Sequence, residues 1–439
     1  MAAKSRKTKV GCAAAGCGMP LLALTVLVII YSVNNRLPDL KIPLAKVPAN
    51  NAWNDFVRAG IMADAIKHKP PASMAAPLTD RQSVFKASEA CAKDAGPILN
   101  AMRMGFGKPY LYPPESSLNS TPTDPDSLIS ELERVVSGVR NYYYFTGKPF
   151  LAAETALDGE EMAIMLPHGG GWRAHMLGRW SEGCCLNNFD KLIPRLNSAE
   201  LDQMAVRLEK LAAMRVPYSE TLLAAGNEEV ISTIDFLRDL SKKSLPDRYK
   251  ELSDDIDLDD SVNSRGGQSL NTLRRKKLFR IAAYTLSNKQ AMLKATSEYY
   301  RALAAESEQP FTGKSKVPPP NDYIWSYDNG VDHFRSRAVN VEVQFDLIRT
   351  MTALYRFKAH YGKFPEKLAE LQPRFLGRVP ADGFGGGPLK YFLIDDSFLL
   401  YSIGPDFKDD GGMLKKSPQT DRIGDVFAGR IYEKQEWEK

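Results

Sequence analysis

The chain has 439 residues, of which 44% are hydrophobic and 25% are charged. This composition excludes a disordered protein, and at about 150 residues per domain it allows two or three folded units. The net charge is only +5, with both signs mixed along the chain, so the sequence has no basic face of the kind that binds nucleic acid.

The N-terminus has the pattern of a membrane anchor. Lys4, Arg6, Lys7 and Lys9 precede an uncharged stretch at 11–33 that ends in "LLALTVLVIIYSV". Roughly 20 apolar residues cross a bilayer as a helix, and basic residues stay on the cytoplasmic side. The sequence therefore predicts a cytoplasmic leader and single transmembrane helix at 1–35, a bacterial inner-membrane location, and an extracytoplasmic remainder. A cleaved signal, and prepilin-like processing after Gly18, are the alternatives.

A proline-rich spacer is predicted at 36–52, and a helical domain at 53–320. Apolar residues recur at intervals of three and four within this domain, which is typical of amphipathic helices packed on one another. The four segments with this pattern are 130–145, 201–216, 231–243 and 278–306.

Three cysteines lie beyond the predicted anchor, at positions 91, 184 and 185. In an oxidising compartment Cys91 could pair with either Cys184 or Cys185, and the sequence leaves this choice open. The spacing of the cysteines does not match a zinc site.

The segment "LPHGGGWRAHM" offers an enzyme alternative. A His-Gly-Gly-Gly motif supplies the backbone donors of an oxyanion hole in esterases, and here it begins at His168. The chain has no Gly-x-Ser-x-Gly nucleophile motif, and the flanking pattern does not alternate between strand and helix. We therefore expect His168 and His175 in a loop beside a glycine-rich turn, with a membrane-anchored hydrolase as the alternative function.

The C-terminal region reads as a helix followed by a small sheet. Helical spacing runs through 341–360, and strand-like runs follow at 389–394, 397–402 and 425–432. Asp395 and Asp396 separate the first two runs, which predicts a hairpin. The predicted fold class is therefore mainly α with a small C-terminal α+β domain.

This order of elements resembles the C-terminal region of type II secretion major pseudopilins and the pseudopilin-like tails of bacterial membrane proteins. The matching stretches are "LIRTMTALYRFKAHYGKFPEKLAEL", "VPADGFGGGPLKY" and "FLLYSIGPDFKDDGG" with "DRIGDVF", within 335–430. The long helix of a pseudopilin runs directly from the membrane into this domain. Here about 300 residues intervene, so filament assembly does not follow from the resemblance.

The resemblance also implies a calcium site, because the corresponding loop of that family binds calcium through oxygen ligands. Asp406 is the first candidate ligand, and Asp409, Asp410, Asp421 and Asp425 could complete the shell. The alternatives are a solvated acidic turn, with Gly411 and Gly412 needed only for backbone geometry, and a pair of catalytic carboxylates.

The sequence thus predicts a non-enzymatic scaffold or interaction protein of the cell envelope, associated with a type II secretion or pilus-like system. Its expected partners are the membrane, through the N-terminal helix, and other envelope proteins. Neither a nucleic acid nor a small-molecule substrate is indicated.

Overall fold

A computed structural model of the chain describes residues 45–66, 81–113, 124–244, 287–320 and 330–412. It also describes residues 414–415 and 423–428, and scattered positions between 25 and 42 and between 246 and 251. Most of these residues are helical, and a small antiparallel sheet lies near the C-terminus. The predicted class, mainly α with a small C-terminal antiparallel sheet, is confirmed.

The main described helices are α1 (Ala52–Asp64), α2 (Arg81–Arg103), α3 (Pro125–Phe145), α4 (Pro149–Met165), α5 (Trp172–Leu186), α6 (Ser198–Met214), α7 (Tyr218–Lys242), α8 (Lys289–Ser307) and α9 (Gly330–Tyr361). Three of the four segments with helical periodicity fall on α3, α6 and α7. The fourth overlaps α8, and its first part, 278–286, lies outside the described residues.

Helices α4 and α5 are not predicted from periodicity, because both are buried around most of their circumference. Every residue of α4 from Thr155 to Met165 is buried, including Asp158, Glu160 and Glu161. A helix enclosed on all sides has no polar face, and so lacks the apolar stripe that periodicity detects. The expectation that His175 lies in a loop is wrong, because it is a buried residue of α5.

The chain divides into two compact units. One consists of Met1–Pro43, Gly226–Arg301 and Pro318–Asp328. Its described core joins Val230, Ile234, Leu237 and Leu240 of α7 to Met292 and Leu293 of α8.

The other unit consists of Leu44–Ala225, Ala302–Val317 and Asn329–Lys439. It therefore contains most of the predicted helical domain together with the predicted C-terminal domain. One of its clusters of buried side chains contains Leu157, Met204, Leu347 and Phe398, from α4, α6, α9 and the sheet. A second cluster joins α1, α2 and α3.

The sheet follows the 32-residue helix α9. Its strands are β1 (Lys390–Ile394), β2 (Ser397–Ser402) and β5 (Val426–Ala428), in the order β1-β2-β5 with antiparallel pairing. Short strands β3 (Leu414–Lys415) and β4 (Ile423–Gly424) form a separate pair. The predicted hairpin is confirmed, and residues 429–432 of the predicted third strand lie outside the described residues.

Helix α9 is held against α6 by two arginines as well as by apolar contacts. Arg349 donates to both carboxylate oxygens of Glu209 at 2.8 Å. Two turns further, Arg356 Nε donates to Asp202 at 2.7 Å. The C-terminal helix is therefore fixed on its helical neighbour before the chain enters the sheet.

Within the described residues, no helix combines the length and the apolar character that a bilayer crossing requires. Most of the predicted span at 11–33 lies outside those residues. Membrane attachment therefore stays a prediction.

Candidate functional site

The predicted acidic loop follows β2. Asp409 Oδ1 accepts hydrogen bonds from the Tyr401 hydroxyl at 2.8 Å and from the Gly411 amide at 3.1 Å. Lys390 Nζ lies 3.4 Å from the other oxygen of Asp409. The Tyr401 hydrogen bond, with smaller contributions from Gly411 and Lys390, holds the pKa of Asp409 below its usual value. Asp409 therefore fastens the loop to the outer face of the sheet.

Asp425 holds the same loop by accepting hydrogen bonds from two of its backbone amides. It is fully buried, and its carboxylate accepts the Gly412 amide at 2.6 Å and the Asp410 amide at 3.3 Å. Gly412 has a φ of +78°, and a Cβ there would lie 2.9 Å from Leu399 Cδ1. The positive φ favours glycine at this position, and a Cβ would also have to displace the end of the Leu399 side chain.

A second buried aspartate, Asp382, lies in the "ADGFGGG" turn, for which sequence reasoning names no site residue. Its Oδ1 accepts the Ser402 hydroxyl at 2.6 Å and the Phe384 amide at 2.9 Å. Its Oδ2 accepts the Ile403 amide at 2.9 Å. Asp382 thereby joins the turn before β1 to the end of β2, where the acidic loop begins.

These contacts bear on the calcium prediction. Asp406 Oδ1 accepts the Lys408 amide at 3.1 Å, so this candidate ligand also takes part in a local turn. Within the part of the chain that the structure describes, no three acidic, histidine or cysteine side chains converge as metal ligands. The remaining candidate, Asp421, lies outside the described residues. The described aspartates fit a loop closed by hydrogen bonds, and calcium binding stays a prediction.

The glycine loop that suggests an esterase connects two helices, α4 and α5. His168 Nδ1 lies 2.7 Å from Glu220 Oε1, and the same oxygen accepts the Gly169 amide at 3.2 Å. A hydrolase nucleophile stands on a sharp turn between a strand and a helix. The glycine loop has described helices on both sides, and its amide at Gly169 is bound to Glu220.

His175 lies one turn into α5 and is only 1% exposed. Its ring centroid is 5.0 Å from that of Tyr218 and 6.5 Å from that of Trp172. Burial, together with the neighbouring positive charge of Arg179, lowers the pKa of His175 to about 3. The imidazole is therefore neutral at physiological pH.

Below His175, helices α4, α5 and α6 enclose a charged network. Arg215, at the end of α6, places Nη2 2.9 Å from Glu160 Oε1 and in contact with Glu182 as well. Arg179 Nη1 lies 2.7 Å from the other oxygen of Glu182. Burial, and then the proximity of Glu182, raises the pKa of Glu160. Sequence reasoning does not find this network, because its members lie on three different helices.

A further buried group lies between α3 and α5. Burial raises the pKa of Glu133 to about 8, and Cys185 Sγ lies 3.5 Å from Glu133 Oε1. Arg140 Nη1 donates to the carbonyl oxygens of Cys184, Cys185 and Asn187, at 2.9, 3.3 and 3.3 Å. The arginine therefore caps the last carbonyl groups of α5, where a positive charge is favourable.

Among the described residues, no disulfide joins Cys91, Cys184 or Cys185. Cys91 Sγ lies 3.9 Å from the Val135 carbonyl oxygen. Burial, followed by the proximity of Glu133, raises the pKa of Cys185. A thiol with a raised pKa forms little thiolate and is a poor nucleophile, so Cys185 acts as a packing residue of the helical core.

No protein-family model, curated protein or solved structure matches this chain.

Proposed function

We propose that this chain is a membrane-anchored scaffold or interaction component of the bacterial cell envelope, associated with a type II secretion or pilus-like system. The observation that carries the proposal is the C-terminal arrangement. A 32-residue helix leads into an antiparallel hairpin, buried Asp382 fixes the turn before β1, and buried Asp425 fixes the loop after β2. This arrangement agrees in element order with the pseudopilin-like tail that the sequence resembles.

The way in which the acidic groups are used supports a non-enzymatic role. Asp382 and Asp425 accept backbone amides, and Glu160 and Glu182 face arginines. Groups used in this way hold segments of the chain in place. A catalytic carboxylate would instead have to reach a substrate atom or a bound water.

The proposal is tested by topology and by capture in native membranes. A reporter that is active only outside the cytoplasm, fused after Lys439, should be active. Cross-linking in intact cells should join the chain to envelope proteins. Activity of a cytoplasmic reporter alone, or cross-linking to cytoplasmic proteins alone, would overturn the proposal.

The alternative is a membrane-anchored hydrolase, and the 2.7 Å pair of His168 and Glu220 beside the glycine loop is the observation in its favour. Purified full-length chain assayed on short-chain esters, with His168→Ala as the control, separates the two functions. Turnover that disappears in His168→Ala would establish the hydrolase. Equal background rates in both proteins would eliminate it.

A further inference from the structure

The C-terminal hairpin exposes apolar side chains at its tip. Phe392 is 52% exposed, Leu393 43% and Ile394 41%, although the facing strand β2 buries Phe398, Leu400 and Tyr401. Among the described strands, β1 is paired with β2 alone and therefore forms one edge of the sheet. Its exposed tip is the most apolar part of that edge.

The register shows which backbone groups of β1 point away from β2. Ile394 pairs with Ser397 across the two-residue turn of Asp395 and Asp396, and the closing pair of such a hairpin exchanges hydrogen bonds. Hydrogen-bonded pairs alternate along an antiparallel ladder. Ile394, Phe392 and Lys390 therefore bond to β2, and the amide and carbonyl groups of Tyr391 and Leu393 point outward.

Natural proteins protect such edges with charged residues, prolines or bulges. Residues 391–394, "YFLI", contain neither a charge nor a proline. We propose that this edge pairs with the β1 edge of a second copy of the chain, antiparallel and centred on Phe392. This inference deepens the proposed interaction role, on which it rests, by naming the partner at this surface.

The outward-pointing backbone groups of Tyr391 and Leu393 explain why the pairing is centred on Phe392. With Phe392 opposite Phe392 of the second copy, Tyr391 of each copy faces Leu393 of the other. These are the residues whose polar groups point outward, so the pairing forms about four backbone hydrogen bonds. The pairing also covers Phe392, whose ring stacks on that of Tyr401 in the same copy with centroids 6.2 Å apart. On the core face of the sheet, it places Leu393 of each copy against Tyr391 of the other.

The charges at the two ends of β1 suit this antiparallel arrangement. Lys390 begins the strand, and Asp395 and Asp396 follow its end. A symmetric pair brings the lysine of each copy toward the aspartates of the other, whereas a parallel pair would place like charges side by side. The charge pattern therefore favours the second copy in this orientation.

The contact area is small. A five-residue edge covers much less than the 1,200–2,000 Å² or so of a stable protein interface. We therefore expect the pairing to be weak in dilute solution and to form where anchoring in a membrane concentrates the chain. For this reason the test uses the full-length chain in its own membrane.

Disulfide trapping measures the pairing directly. Directly opposed residues at a non-hydrogen-bonded antiparallel position have Cα atoms about 4.5 Å apart, within the range that a disulfide spans. Phe392→Cys should therefore give a disulfide-linked homodimer after mild oxidation. Val206→Cys is the matched control, because Val206 is 73% exposed but lies on helix α6. The unsubstituted chain controls for the native cysteines.

Two separate proline variants test whether backbone hydrogen bonds of β1 hold the two copies together. Leu393→Pro removes an outward amide, so it should reduce trapping through Phe392→Cys severalfold without lowering the thermal midpoint of the chain. Ile394→Pro removes an amide bonded to β2 and should lower that midpoint. Together the two variants separate loss of pairing from loss of folding.

Trapping at position 392 that does not exceed trapping at position 206, or that is unaffected by Leu393→Pro, would overturn the inference. A disulfide-linked adduct of Phe392→Cys with a different protein would also overturn it, because the edge would then belong to another partner. In either case capture of envelope proteins by the full-length chain would still support the proposed function, so the two failures are distinguishable.

Discussion

The helical part of the chain and its C-terminal hairpin distribute polar and apolar residues in opposite ways. Helices α3, α4 and α5 bury Glu133, Glu160 and Glu182, whereas β1 exposes Phe392 and Leu393. A buried carboxyl group is tolerable when arginines face it or when it keeps its proton. An exposed apolar edge is a liability unless something covers it. The comparison teaches that the helical part matches its buried acids with neighbouring groups inside the protein, whereas the apolar tip of the hairpin is left exposed.

The largest effect expected on the helical side comes from Arg140→Met. This change removes the donor to three carbonyl groups at the end of α5. Each shielded carbonyl oxygen left without a donor typically costs about 1–3 kcal/mol, so the three together should cost several kcal/mol. Urea unfolding of the full-length chain should show a loss of this size. Arg238→Met, at the half-exposed pair with Asp235, should cost about 1 kcal/mol or less, and equal losses would contradict the assignment of Arg140 as a cap.

The pH dependence of stability should reveal Glu133. Its pKa of about 8 in the folded chain lies above the ordinary value of 4.5, so the folded state binds the proton more tightly. The associated stability is fully present below pH 4.5 and is lost as the pH rises toward 8. At about 1.4 kcal/mol per tenfold change in proton affinity, the loss at pH 7 is about 3 kcal/mol.

Glu133→Gln should remove this slope, because the amide resembles the protonated acid and does not titrate. The free energy of unfolding of the variant and of the unsubstituted chain should be compared at pH 5 and pH 7. His175, with its pKa lowered to about 3, has the opposite effect. Its stability is present above pH 6.5 and is lost as the pH falls toward 3, so it is common to both proteins and cancels in the difference. A difference that does not change with pH would disprove the prediction for Glu133.

The next largest expected effect is the stabilisation of the folded chain by calcium. A cation at the Asp406 loop would stabilise the folded chain by RT ln(1 + [L]/Kd), which is about 2.7 kcal/mol at a hundredfold excess over Kd. The thermal midpoint of the full-length chain should rise in millimolar calcium, and Asp406→Ala should remove most of that rise. Identical melting in calcium, magnesium and chelator would identify the loop as a solvated turn.

A smaller effect should distinguish the buried from the exposed aspartates of the sheet. Asp382→Ala leaves the amides of Phe384 and Ile403 without an acceptor, at a cost of about 1–3 kcal/mol. Asp406→Ala in chelator loses only the turn contact to Lys408 and should cost about 0.5 kcal/mol or less. Similar losses in urea unfolding would mean that Asp382 does not hold the turn to β2.

How much of this could be predicted from sequence depends on how far apart the contacting residues lie in the chain. Helices α3, α6, α7 and α9 and the β1–β2 hairpin follow from local periodicity and the two-residue turn. The hydrogen bonds from the Gly412 and Asp410 amides to Asp425 could not be predicted in this way, because those residues lie 13 and 15 positions from Asp425 in the chain. The resemblance names Asp425 as a ligand, but only the fold shows which amides its carboxylate accepts.

Helices α4 and α5 show a second limit. Periodicity detects a helix that has one solvent-exposed face. Glu160 and Glu182 instead contact Arg215 inside the protein. Their charges resemble surface positions in the sequence until α6 is placed beside them. Burial of ionic groups is a property of the assembled helices, so no single segment could predict it.

The shared core of α4, α6, α9 and the sheet also has a consequence for synthesis. Leu157 and Met204 leave the ribosome long before Leu347 and Phe398, with which they share one buried cluster. At about 5–20 residues per second, roughly ten seconds or more separate the two events. During that time the nascent helices expose apolar surface that the later segments will cover, which favours aggregation of incomplete chains until the last hundred residues or so have emerged.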